Sequence, residues 1–207
     1  MKQLLIGVLL LALSACGRNH TKQNNITEQA ADSILKEWKT IAPIEISDNP
    51  VALIGGGMAL AVGTPERMNA MTIGWGGLGT LWKLDNPVVT VYIRDDRYTR
   101  ELLDTNEYFT LTAFSDTDRK RANNYFGTRS GRTEDKMKGS GFTVRFTELG
   151  TPFFDEGRLT LECRKIYAAP FSAAGFGPEP KGNTPKDGYG ERFIIYIGEV
   201  INVWEKQ

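Results

Sequence analysis

Three short segments of this chain carry residue types suited to binding an anion and a flat ring. The first, Asn69-Ala70-Met71-Thr72-Ile73-Gly74-Trp75, joins an amide, a hydroxyl, small residues and an indole. Its polar groups can hydrogen-bond the edge of a planar heterocycle while Trp75 packs beside it. The second, Arg94-Asp95-Asp96-Arg97-Tyr98-Thr99, puts two arginines and a hydroxyl where a helix is expected to start. A helix start offers unpaired N–H groups and the positive end of the dipole, and arginine adds bidentate contacts to phosphate. The third is Gly127-Thr128-Arg129-Ser130-Gly131-Arg132 with Asp135-Lys136 just beyond. It sets a Ser-Gly turn among Arg129, Arg132 and Lys136, again suited to phosphate. Together they describe a site for a flat ring that carries a phosphate. Each alone has a plainer reading. Arg94 and Arg97 could be solvated beside Asp95 and Asp96, Ser130 to Lys136 could be a polar connection, and Trp75 could be core.

The counts exclude other chemistries. Among 207 residues, 25 basic side chains balance 25 acidic ones, so broad electrostatic binding to nucleic acid is not expected. Two cysteines cannot build a disulfide scaffold or a four-thiolate zinc site, and the one histidine, His20, lies near the N-terminus. A Ser-His-Asp triad and a multi-histidine metal centre are excluded with it. Gly74-Trp75-Gly76-Gly77-Leu78-Gly79 satisfies G-x-G-x-x-G, but Pro87 follows too soon for the helix that a dinucleotide-binding crossover needs. These glycines read instead as a loop, or as backbone turning closely against something flat.

The elements that must position these segments are mostly strands. Val88 to Ile93, Tyr108 to Phe114, Leu159 to Arg164 and Phe193 to Val203 have strand patterns, and strand character is expected from Val51 onward. Phe109, Leu111 and Ala113 should share one face, as should Leu159, Leu161 and Cys163, which makes Cys163 a packing residue rather than a redox thiol. Helices are expected over Ala30 to Lys39, Tyr98 to Asp104 and Asp118 to Phe126, with Gly127 as the stop of the last and Arg119-Lys120-Arg121 on its exposed face. Phe171 to Gly190 reads as a long loop rich in Gly and Pro. Many short strands with few helices suggest a closed β-barrel.

The N-terminus reads as an address. A basic Lys2, an apolar run from Leu4 to Leu13 and small residues before Cys16 fit a secretory signal, and the run is too short to span a bilayer. Leu13-Ser14-Ala15-Cys16 resembles the bacterial lipobox, in which the cysteine is lipidated and becomes the new N-terminus. Residues 1–15 are then the signal, 16–29 a flexible tether and 30–207 the domain, held at a membrane of the cell envelope.

Asn-x-Met-Thr-x-x-Trp, Arg-x-x-Arg-Tyr-Thr and Ser-Gly-Arg followed by Asp-Lys stand in the order found in the flavin reductase-like, FMN-binding split-barrel family. Leu159 to Tyr167 and Tyr196-Ile197-Gly198-Glu199-Val200 extend the resemblance, and the flavoredoxin branch is the most similar. The resemblance implies a mainly β, Greek-key split barrel with a few short helices, paired as a homodimer around non-covalent FMN, with FAD not excluded. It implies that Asn69, Met71, Thr72, Ile73 and Trp75 line the flavin ring. Arg94, Arg97, Tyr98 and Thr99 would serve the phosphate end, with Ser130, Arg132 and Lys136. No protein catalytic residue and no metal is implied, because flavin itself carries hydride and electrons. NAD(P)H or a redox protein would be the donor. The chain departs from the flavoredoxin pattern at Glu191 to Tyr196, which lacks the histidine common before the last strand. Export sets two readings against each other: a reductase using a nicotinamide donor, or a membrane-tethered flavin carrier or binding module. A third is a barrel that has lost its flavin and binds another ligand.

Overall fold

The computed structural model describes residues 37–83, 85–172, 175 and 192–207. The signal, the tether, the lipobox and most of the loop expected over Phe171 to Gly190 lie outside the described residues. The chain divides into one unit of residues 1–39 with Gln207, and a second of residues 40–206. In the first, the Gln207 N–H donates to the Glu37 carbonyl at 2.9 Å.

The elements run in the order β1 (Trp38–Thr40), α1 (Pro50–Gly55), β2 (Met58–Thr64), β3 (Arg67–Ile73), β4 (Gly76–Thr80), β5 (Pro87–Arg94) and α2 (Tyr98–Thr105). There follow β6 (Tyr108–Phe114), α3 (Asp116–Thr128), α4 (Lys136–Gly139), β7 (Val144–Phe146), β8 (Pro152–Phe154), β9 (Gly157–Pro170) and β10 (Phe193–Lys206). The mainly β class holds. Several expectations do not. The described end of the helix placed over Ala30 to Lys39 is strand β1, in keeping with the β preference of Trp and Thr. Strand character does not begin at Val51 either. Asn49 caps a helix there, its side-chain oxygen accepting from the Val51 and Ala52 N–H groups at 2.9 and 3.1 Å, with Pro50 at the first helical position.

The main sheet follows the path β3-β2-β6-β9-β10-β5-β4, each neighbouring pair antiparallel. Its inner face gathers one core that includes Leu60 and Val62 from β2, Ile73 from β3, Val89, Val91 and Ile93 from β5, Phe109 and Leu111 from β6, Leu159, Leu161 and Cys163 from β9, and Tyr196 and Val200 from β10. The sheet therefore wraps around these side chains, each large one contributing about 1.5–3 kcal/mol by burial. The closed ladder expected from the strand count is not formed: among the described residues the path ends at β3 on one side and β4 on the other. The barrel is split at these two edges. The β9–β10 ladder shifts register beside Gly198, where β9 carries the extra Ile166, and again at Ile201 of β10, and no side chain fits at Gly198, because a Cβ would lie 2.6 Å from Phe109 Cζ and 2.9 Å from Cys163 Cβ.

A second core lies on the outer face of β2 and β3. Ala59, Ala61 and Ala70 are small enough for α3 to pack close, with Ala122, Phe126, Met137, Phe142 and Phe154 completing it. Strand β2 thus alternates large side chains inward and alanines outward, both sides buried. These two cores hold β3 between the start of α2 and the end of α3, and an edge strand so placed carries the cleft described next.

Candidate functional site

A cleft of about 140 Å³ opens beside β3. Its lining joins Asn69, Met71 and Thr72 of β3, the chain from Asp96 to Thr99 entering α2, the last turn of α3 from Phe126 to Thr128, the turn from Arg129 to Arg132, and Lys136. The three segments singled out in the sequence meet here.

Alternation along β3 divides its side chains. Asn69 faces α2, where its buried amide donates to Thr99 Oγ1 at 2.8 Å. Thr72 faces α3, and its buried Oγ1 has no hydrogen-bond partner among the described residues. A buried hydroxyl with no partner is costly. Gly127 lies beside it: a Cβ there would sit 3.5 Å from that hydroxyl, in ordinary contact. Gly127 is not the stop expected of it. Helix α3 continues to Thr128 and ends at Arg129, whose backbone is extended rather than left-handed.

The start of α2 is open to the cleft. Arg97 occupies the N-cap position and makes no side-chain cap, which leaves the first N–H groups of the helix without that satisfaction. Around it stands a charge network. The Asp96 carboxylate accepts from Arg94, and from Arg192 at 3.1 Å, and Arg97 Nε lies 3.9 Å away. The Asp96 carbonyl accepts from Arg132 at 2.8 Å, while Arg132 also pairs with Glu101. Tyr98 is bracketed by cations, with the Arg67 and Arg132 guanidinium carbons 5.8 and 5.7 Å from its ring centre and Arg67 Nε donating to its hydroxyl at 3.3 Å.

The turn after α3 folds on itself. Ser130 Oγ accepts from the Arg132 N–H at 3.3 Å, and the Ser130 carbonyl accepts from Thr133 and Glu134. Gly131 is required: a Cβ would lie 2.7 Å from Tyr98 Cδ1 and closer still to Asn69 Oδ1. Asp135 then caps α4, accepting from the Met137 and Lys138 N–H groups at 3.1 Å each, hydrogen bonds that hold its carboxyl below the usual range. That cap fixes the backbone from which Lys136 turns inward. Lys136 is 3% exposed and donates to the Phe126 carbonyl at 2.7 Å. Burial pushes its ammonium down to about 8, Glu134 opposing the shift and Arg97 adding to it.

The family follows from the sequence order now seen as one site. The profile of the flavin reductase like domain matches residues 49–207. The chain belongs to this family. A comparison with curated proteins finds no match. Among solved structures, a flavoredoxin from Methanosarcina acetivorans is 24% identical over 73% of this chain and 68% of its own, with a TM-score of 0.57. An FMN-binding protein from Thermus thermophilus, with bound p-hydroxybenzaldehyde, is 20% identical over 80% and 77%, at 0.57. An NADH:FAD oxidoreductase from Streptomyces globisporus is 16% identical over 74% and 78%, at 0.54. At these identities the likeness is one of fold, the split barrel.

Within this flavin reductase-like domain, the cleft takes in Asn69, Met71, Thr72, Arg97, Tyr98, Thr99, Ser130, Arg132 and Lys136. It does not take in three other expected residues. Ile73 shares the strand face of Asn69 and Met71 but stands at the last position of β3, where it is buried in the barrel core. Arg94 is at the end of β5, turned to Asp96. Trp75 lies beyond β3, neither core nor cleft wall: it is 55% exposed, its ring 5.2 Å from that of Phe193. Asn69, expected at the ring, sits against Thr99, expected at the phosphate end, and against Gly131. Asp96, Gly127, Thr128, Arg129 and Gly131 also line the cleft. The signal for Gly131 was its place between Ser130 and Arg132 in a turn.

Other groups singled out in the sequence lie outside the cleft. The Cys163 thiol is fully buried and pushed well above its usual range, first by burial and then by Glu162, so it is packing rather than a reactive thiolate. Lys120 and Arg121 are exposed, Arg119 is half-buried, and none of the three lines the cleft. The described residues include no group of three or more metal-binding side chains and no helix long and apolar enough to cross a membrane.

Proposed function

We propose that this protein binds FMN non-covalently in the cleft beside β3 and transfers hydride or electrons between a nicotinamide or protein donor and flavin or another small acceptor. The observation that carries this reading is the convergence of Arg97, Arg132 and Lys136 on one cleft with the unpartnered Thr72 hydroxyl. Cations and an uncapped helix start fit a phosphate, and a buried hydroxyl without a partner fits a polar ligand atom. When bound, flavin supplies the hydride and electron chemistry. The chain supplies binding and orientation: Arg97, Arg132, Lys136 and the N–H groups of α2 hold the phosphate, while Met71 and Thr72 contact the remainder. The NADH:FAD oxidoreductase and the FMN-binding protein of the same fold agree with this reading.

A homodimer belongs to it. The outer face of β5 and β10 carries Tyr92, Ile195 and Ile197, each only half-buried in the single chain, beside exposed Tyr167 of β9. The N-terminal signal and lipobox favour a second reading, in which Cys16 anchors the protein to an envelope membrane and a redox partner feeds the flavin, since nicotinamide donors are mainly cytoplasmic.

A visible spectrum of the domain purified from Gln23 tests the first step. FMN should give a yellow protein; a colourless one after incubation with FMN overturns flavin binding. Anaerobic NADH or NADPH should bleach a reductase, whereas reduction by dithionite alone supports the carrier. Cys16→Ser should release the full chain from membranes, and continued membrane association refutes the anchor.

A further inference from the structure

Among the described residues, three large apolar side chains stand almost wholly in solvent: Ile44 at 91% exposed, Trp82 at 85% and Val51 at 82%. Trp82 is held there under strain. It lies in the connection between β4 and β5 with φ at 64°, in the left-handed region that disfavours a bulky side chain. Hydrogen bonds lock the turn around it. The Lys83 N–H donates to the Leu81 carbonyl at 2.8 Å, closing a tight three-residue turn over Trp82. The Leu81 N–H donates to the Asn86 carbonyl at 3.1 Å, and the Asn86 side-chain amide donates back to the Leu81 carbonyl at 3.1 Å. Glycine would take this conformation without strain. An indole so exposed gains little from its own chain by burial. The turn thus displays Trp82 to something outside the chain.

The sheet register places this tip. Strand β5 pairs with β10 from Arg94 and Phe193 to Val88 and Glu199, so the β4–β5 connection lies just past Glu199. Strand β9 takes the other edge of β10. Farther along β10, the Val203 carbonyl accepts from the Ile41 N–H at 3.0 Å. Because β9 holds the opposite edge, Ile41 stands on the same edge as β5, about 13 Å of strand beyond Glu199. Ile41 follows Thr40, the first residue of the second unit. The N-terminal segment therefore joins that unit at the end of the sheet that carries Trp82. Ile44 is within about 10 Å of chain from Ile41.

We infer that the β4–β5 tip rests in the interface of the membrane to which the chain is tethered, with Trp82 at headgroup level and Ile44 beside the point of entry. This rests on the reading above in which Cys16 carries the anchor. Indole suits that boundary, because its ring is apolar and its N–H is polar. Lys83, exposed beside Trp82, can lift its ammonium to the headgroups. Exposed Asp85 balances the Lys83 charge, so the contact is interfacial rather than electrostatic. From Cys16 to Thr40 the chain spans at most about 80 Å. An anchor on so long a tether leaves the domain free to turn, and the tip supplies the second contact that fixes which end faces the bilayer.

Full-length, lipid-modified protein on phosphatidylcholine vesicles tests the contact when the acyl chains carry bromine just below the headgroups. Bromine quenches an indole only on close approach. Wild type should lose part of its tryptophan emission, and added salt should not restore it. Trp82→Phe should abolish that quenching, whereas Trp75→Phe should retain it. Wild type that floats with the vesicles and is not quenched overturns the proposal, as does Trp82→Phe quenched like wild type. A dimer in detergent that Trp82→Phe converts to monomers assigns the tip to a second copy of the chain and also overturns it. Wild type that does not float with the vesicles at all overturns the anchor reading and the contact with it.

Discussion

The two ends of the segment Asn69 to Trp75 have different fates. At one end Asn69, Met71 and Thr72 stand on an edge strand gripped by α2 and α3, and all three line the cleft. At the other end Ile73 turns into the barrel core and Trp75 leaves the strand for an exposed place against Phe193. Seven consecutive residues thus serve a cleft wall, a core and a surface. Ile73 shares its strand face with Asn69 and Met71, so position along the strand decides the first division, and the end of the strand decides the second. A motif is a line in sequence, whereas a site is a surface, and only part of the line can lie on it.

This contrast can be broken by substitution. The largest effect should come from Gly131→Ala, whose Cβ would collide with Asn69 and Tyr98. Overpacking of this kind costs about 1–3 kcal/mol, so FMN affinity should fall about 5- to 150-fold. Unchanged affinity, measured by fluorescence titration, would show that the turn does not need to approach β3. Thr72→Val keeps shape and removes the unpartnered hydroxyl. If that hydroxyl serves the flavin, binding should weaken by about 0.5–1.5 kcal/mol. Tighter binding by the variant would mean that the hydroxyl faces no ligand. Trp75→Ala should have the smallest effect on FMN affinity, within about 0.5 kcal/mol, as for other exposed sites. A loss as large as that of Gly131→Ala would return Trp75 to the binding wall and erase the contrast between the two ends.

Much of the fold was legible because burial imposes a period. Phe109, Leu111 and Ala113 and then Leu159, Leu161 and Cys163 alternate in sequence and share the barrel core. The start of α2 was legible from Tyr98 onward, with Arg97 at its N-cap position. Other features could not be read locally. The cap by Asn49 turned an apparent strand into α1. The pairing of Arg94 with Asp96 withdrew one arginine from the cleft, and no spacing rule distinguishes it from Arg97. Gly127 looked like a helix stop, but the helix runs one residue past it and ends at Arg129.

By itself the sequence determined the kind of chemistry available. With one histidine at His20 and Cys163 in an alternating apolar strand, the domain has no evident nucleophile or metal set, and its arginines and glycines suit a bound phosphate. Such conclusions depend on residue type, which folding does not change. The tertiary structure decided which of these residues share a surface. Asn69 meets Thr99 and Gly131, and Lys136 reaches the end of α3, only because long-range packing sets β3 between two helices. It also decided charge. Asp96 draws on Arg94 and Arg192 and leaves Arg97 and Lys136 unbalanced, and that balance depends on distance and burial rather than on order along the chain.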